Sequence, residues 1–128
     1  PYFLIPAVRG QSLHEAGGGD FIANFTYVKD VAHALRLAYS QDPLPSNLYN
    51  LSNGRHYSAA EIVETIRRVV PGADISVGPG MQPWIDFTVL RGSFDISRVR
   101  TELGFEIQYP LEKALADYAA WLRENLPG

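Results

Sequence analysis

Tyr109 and Lys113, in the run YPLEK, have the residue types and spacing that could move a proton. A phenol becomes an acid–base group near neutral pH when a cation beside it lowers its pKa, and a lysine four positions along a helix face is placed to do that. Both residues must then sit in one helix. Pro110 argues against it, because proline disfavours helical backbone in the residue before it and belongs at the first helical position. Tyr109 is therefore expected outside the helix that carries Lys113. The spacing reads as a coincidence at a helix entrance, and no catalytic residue is assigned.

Gly17, Gly18 and Gly19 could bring backbone amides close to a phosphate, but a phosphate cradle opens a helix and the residues that follow alternate like a strand. A hairpin turn is the better reading, and no cofactor-binding residue is assigned. A metal site has no support: His14-Glu15 lacks a second histidine four residues after the first, and His33 and His56 lie alone in their segments. Four residues remain as candidates for holding a substrate. Arg91 closes an irregular stretch beside Gly92, where a guanidinium can grip a carboxylate or phosphate, and Trp84 in the same stretch can stack on a ring. Arg9 lies near the turn into the expected hairpin. Asn24 is a polar position at a strand edge.

These residues need elements to hold them. Pro1 to Gly10 is an apolar segment with two prolines, and SLHEA before the glycines with FIANFTYV after them makes the expected hairpin. KDVAHALRLAYS has helical spacing, with Asp30 placed to cap its first turn. LYNLSNG reads as a short strand. Ser58 and Glu61 form a capping box ahead of the apolar positions Ile62, Ile66, Val69 and Val70. ADISVG is a further short strand, and residues 78–92 read as a long irregular loop. Asp95 can cap ISRVRTEL, which Gly104 ends in a left-handed conformation. The last helix starts at Pro110 and repeats Leu111, Leu115, Tyr118 and Leu122 on one face.

Composition bounds the rest. The chain has 128 residues, 46% of them hydrophobic, which is enough for one domain with a core. A net charge of −3 without a run of lysine and arginine makes nucleic acid an unfavourable partner. No apolar run approaches the roughly 20 residues of a membrane span. The absence of cysteine removes disulfide and thiol chemistry and fits a cytoplasmic chain. The apolar start without methionine predicts a chain cut from something longer.

Three stretches then carry a resemblance by their order: FTYVKDVAHAL, NLYNLSNGRHYSAAEIVETI and FDISRVRTELGFEIQYPLEKALADYAAWLRE. Together they resemble the later part of the extended short-chain dehydrogenases, the NAD-dependent epimerase/dehydratase family, over about Leu4 to Leu122. The resemblance implies an α/β fold: residues 1–128 as the C-terminal, substrate-binding part of an extended Rossmann-type enzyme, with a hairpin, short strands and about four helices. It also implies that NAD or NADP, the glycine fingerprint and the catalytic tyrosine and lysine belong to a nucleotide-binding half that this chain lacks. Asp30, the Tyr49-Asn50 pair and Asp95 match structural positions. Where nucleotide-sugar epimerases carry Arg-Asp, this chain has Ala23-Asn24, and Arg91 is expected to supply a comparable charge. The implied partner is a small molecule, a nucleotide sugar or a smaller polar hydroxy compound, and a homodimer is compatible. Two other readings stand beside it: a free-standing binding or regulatory module, and an interaction protein using uncovered apolar surface.

Overall fold

A computed structural model of the chain describes residues 1–81 and 92–126. Among these residues it is a mixed α/β structure of five helices and four three-residue strands. In chain order the elements are α1 (Leu4–Val8), β1 (Leu13–Glu15), β2 (Ile22–Asn24), α2 (Val28–Tyr39), β3 (His56–Ser58), α3 (Ala59–Val69), β4 (Ile75–Val77), α4 (Ser97–Leu103) and α5 (Leu111–Asn125). α1 lies in the segment that sequence reading left without an element. Its Leu4 and Ala7 are buried, and Pro6 falls in its first turn, where the missing N–H costs no helical hydrogen bond.

The strands do not form the expected hairpin. β1 pairs in parallel with β4, with His14 opposite Ser76, and β2 pairs antiparallel with β3, with Asn24 opposite His56. Gly17 to Gly19 permit close approach to a distant segment rather than chain reversal onto the next one. Gly19 N donates to Gly78 O at 2.8 Å, Gly78 N to Glu15 O at 2.8 Å and Asp20 N to Gly80 O at 3.1 Å. A Cβ on Gly78 would lie 2.0 Å from Ala16 O. Two glycine turns sixty residues apart are thus joined backbone to backbone, a contact that no local pattern encodes.

Two apolar clusters result. The first gathers Leu4 and Ala7 of α1, Val63 and Ile66 of α3, Val70, Ile75 of β4, and Ala119 and Leu122 of α5. The second gathers Ala34 of α2 with Ile96, Val99, Leu103 and Phe105 around α4. Burying side chains such as Ile66, Leu122 and Phe105 contributes roughly 1.5–3 kcal/mol each relative to exposure.

Helix ends follow the sequence where the signal is local. Ser58 Oγ accepts from Glu61 N and the Glu61 carboxylate from Ser58 N, completing the capping box. Gly104 takes φ 66° at the end of α4. Asp95 accepts from Ser97 N at 2.8 Å, although the N-cap position of α4 is Ile96. Asp30 is a clear departure. The N-cap of α2 is Tyr27, and Asp30 is the helix's third residue, buried, with its carboxylate accepting from Gln108 N at 3.0 Å and Tyr109 N at 3.2 Å. It fastens α2 to the approach to α5. Its expected role as a helix cap is replaced by this tertiary one, because the helix begins two residues before it.

Gly78→Ala tests the glycine contact. The clash with Ala16 O predicts a loss of about 3 kcal/mol or more, read by chemical denaturation. Gly72→Ala, at φ 84° with open space around it, is expected to cost only about 1–2 kcal/mol. Equal effects would contradict this account.

Candidate functional site

The β2–β3 ribbon ends in a polar clip. Asn24 Nδ2 donates to Gly92 O at 3.0 Å, its Oδ1 accepts from Phe94 N at 3.4 Å, and His56 Nδ1 lies 3.1 Å from Ser93 Oγ. Facing residues of two paired strands therefore grip residues 92–94, directly after Arg91. Arg91 and Trp84 themselves lie outside the described residues. Asn24 is thus brought to the chain that leaves Arg91, with both ends of its amide already engaged. Arg9 is the exposed C-cap residue of α1 and makes no ion pair among the described residues. No hydrogen bond joins it to Asn24.

Against α3 and α5 the same ribbon borders a cavity of about 750 Å³ whose walls include Phe21, Phe25, Ile62, Leu115 and Tyr118. Most of its polar members are occupied. Thr26 Oγ1 donates to Leu51 O, Asn53 bridges Tyr109 O and the Tyr57 hydroxyl, and Tyr27 donates to Asp117. A sugar needs several free donors and acceptors, so this large cavity is a poor sugar site. The clip's own side chains are engaged as well, so it is a candidate only through the chain it holds, residues 92–94 and the Arg91 that precedes them in sequence.

Tyr109 stands before Pro110, the N-cap of α5, and so outside the helix as expected. Lys113 Nζ lies over its ring, 4.4 Å from the centroid, and donates to Gln108 O at 2.9 Å. The ammonium meets the face of the ring, which is a packing contact and not the alignment of an acid–base pair.

A network that sequence reading missed lies alongside. Tyr27 OH donates to Asp117 Oδ2 at 2.5 Å, and Lys29 Nζ to Asp117 Oδ1 at 2.7 Å. Burial, followed by the neighbouring carboxylate, pushes the Tyr27 phenol well above its ordinary value. A phenol raised in this way is stabilised as a neutral donor and is no proton-abstracting base. The hydrogen bond from Lys29, then that from Tyr27, holds the Asp117 carboxyl below its ordinary 3.8. The partners are 88 and 90 positions apart in the sequence, beyond any local pattern.

The described residues do not fit a dinucleotide or a metal ion. The amides of Gly19, Asp20 and Phe21 are spent on Gly78 O, Gly80 O and Gly18 O, and a strand follows them instead of a helix. His14 bonds Ser76 and pairs with Asp74, His56 bonds Ser93, and His33 contacts Arg36. Among the described residues no three of His, Asp or Glu are grouped to hold a metal. No helix among them is long and apolar enough to cross a membrane.

Asp117→Asn tests the network. A carboxyl with a lowered folded pKa adds stability that is fully present above the ordinary value of 3.8 and is lost as pH falls through the lower folded value. The variant is expected to lose about 1 kcal/mol at pH 7, discounted for partial exposure, and to approach the parent below that window. A pH-independent difference would contradict this assignment.

No family model matches the chain. Among curated proteins it is 29% identical to the uncharacterised protein YbjS of Escherichia coli K12, over 84% of this chain and 40% of that protein. It is 23% identical to dTDP-glucose 4,6-dehydratase of Escherichia coli, over 98% of this chain and 37% of the enzyme. UDP-glucose 4-epimerase of Thermotoga maritima, solved with UDP-glucose, matches with TM-score 0.80 and 23% identity over 98% of this chain and 39% of its own. WbmF of Bordetella bronchiseptica, solved with NAD+ and UDP, matches with TM-score 0.71 and 27% identity over 98% of this chain and 36% of its own. The chain spans about two fifths of the length of these proteins. In sequence and in fold the chain is similar to enzymes of the NAD-dependent epimerase/dehydratase family, matching them over part of their length.

Proposed function

We propose that this chain is the substrate-binding portion of an NAD(P)-dependent epimerase or dehydratase that acts on a nucleotide sugar. The observation that carries the reading is the match of nearly the whole chain to enzymes whose names and bound molecules include dTDP-glucose, UDP-glucose and UDP. NAD(P) would supply hydride transfer in the complete enzyme, held by residues other than these. This chain's part is to bind and orient. Asn24 and His56 root the segment that carries Arg91, and Arg91 meets a phosphate of the nucleotide. Asn24 is then a positioning residue, since its amide is engaged with Gly92 and Phe94. Trp84 stacks on a ring of the ligand, and Arg9 supplies a second cation. Of the four, Arg91 is the residue to test first.

The product of the whole reading frame, assayed with NAD and with UDP- and dTDP-hexoses, is expected to turn over at least one of them. The 128-residue chain is expected to turn over none. Arg91→Ala in the whole protein should raise KM about tenfold with little change in kcat, the loss of one charge-assisted phosphate contact. An unchanged KM removes Arg91 from the site. A reading frame encoding no glycine-rich strand-turn-helix and no Tyr-x-x-x-Lys ahead of Pro1 would favour a free-standing binding module.

A further inference from the structure

The outer face of the β1–β4 pair carries four polar side chains that the candidate site does not use. Leu13 and Ile75, which are register partners, turn inward on the first apolar cluster. The residues flanking them, Ser12 and His14 on one side and Asp74 and Ser76 on the other, therefore share the opposite face. All four are exposed.

The chemistry of the groups fixes the direction of each bond. A carboxylate only accepts, so Ser12 Oγ donates to Asp74 Oδ2 at 2.5 Å, and the imidazole Nε2, 3.2 Å from Asp74 Oδ1, carries the proton. The bond from Ser12 holds the Asp74 carboxyl below its ordinary 3.8, which keeps it ionised at neutral pH. With its proton on Nε2, the neutral imidazole has its lone pair on Nδ1. That nitrogen lies 2.7 Å from Ser76 Oγ, so the Ser76 hydroxyl donates to it. A latch between the strands would need only His14 and Asp74. Ser76 adds a hydroxyl bonded to a base that a third group orients, which is the arrangement that activates a serine.

We propose that Ser76 is a nucleophile for small activated carboxylic esters, with His14 as its general base and Asp74 as the residue that positions the ring. Oγ attacks the carbonyl carbon and forms the new C–O bond while its proton passes to Nδ1. The bond to the leaving group breaks, the leaving oxygen takes the electron pair, and Nδ1 or solvent returns a proton to it. Water attacks the acyl-serine next, again losing its proton to Nδ1, and releases the carboxylic acid and the free Ser76 hydroxyl. The neighbouring amides limit which esters react. Leu13 N is spent on Asp74 O and Gly78 N on Glu15 O, so neither stabilises an oxyanion. The leaving group must then depart unaided, as a phenolate does and an amine does not. This face belongs to the other sheet from the β2–β3 ribbon, so the activity stands or falls apart from the nucleotide-sugar reading.

Covalent labelling of the chain with a fluorophosphonate is the test: Oγ displaces fluoride from phosphorus, and peptide mass spectrometry locates the stable adduct. Ser76 is expected to label on the order of 100-fold faster than Ser40 or Ser97, which are also exposed, the low end of what a positioned base contributes. His14→Ala should remove that advantage, and added imidazole should restore it at Ser76 alone, a rescue that a purely structural histidine would not show. Asp74→Asn should slow Ser76 about tenfold, less than in a buried triad because the ring here is solvated. Hydrolysis of p-nitrophenyl acetate should be faster with the parent than with Ser76→Ala. Equal labelling of the three serines in the parent, a result that needs no variant to fold, would overturn the proposal. So would unchanged labelling of Ser76 in His14→Ala, or equal ester hydrolysis by the parent and Ser76→Ala.

Discussion

The carboxylate of Asp30 sits at the seam between the two apolar clusters, and the arrangement of the chain around it depends on the bonds that carboxylate makes. A buried charge is costly unless it is fully hydrogen-bonded. Here two backbone amides, those of Gln108 and Tyr109, satisfy it, and the first turn of α2 adds the favourable end of its dipole. α2 belongs to the second cluster and α5 to the first. The bond thereby fixes how the two clusters meet. Tyr27 and Lys29, reaching Asp117 on α5, reinforce the same seam from the surface side.

From that seam the candidate site follows. With α2 held, the turn before it brings Thr26 to Leu51 O and Phe25 O to Asn53 N, so β2 is fixed against the chain entering β3. The ribbon's far end then presents Asn24 and His56 together to residues 92–94. The position of the clip is thus set by backbone contacts across most of the chain.

Sequence reading succeeded where the physics is local. Ser58 and Glu61 satisfy each other's amides three residues apart, Gly104 adopts a conformation that other residues resist, and Pro110 excludes Tyr109 from a helix by contact with its immediate neighbour. It failed where a local signal had a distant partner. The glycines at 17–19 look like a reversal until Gly78 is seen against them, and Asp30 looks like a cap until Gln108 and Tyr109 arrive. The polar clip was half legible. Asn24 and Arg91 stand out in the sequence, yet the pairing of Asn24 with His56, and their joint hold on the residues after Arg91, depend on a strand register that the sequence does not display.

The central claim is that the Asp30 carboxylate, and not the loop's own conformation, orders the approach to α5. The direct measurement is amide hydrogen exchange at Gln108 and Tyr109 by NMR, in the parent chain and in Asp30→Ala. The account predicts two amides protected like those of the packed helices in the parent and exchanging at loop rates in the variant, with α3 amides such as that of Ile66 still slow. Rapid exchange in the parent, or protection that survives removal of the carboxylate, would contradict it.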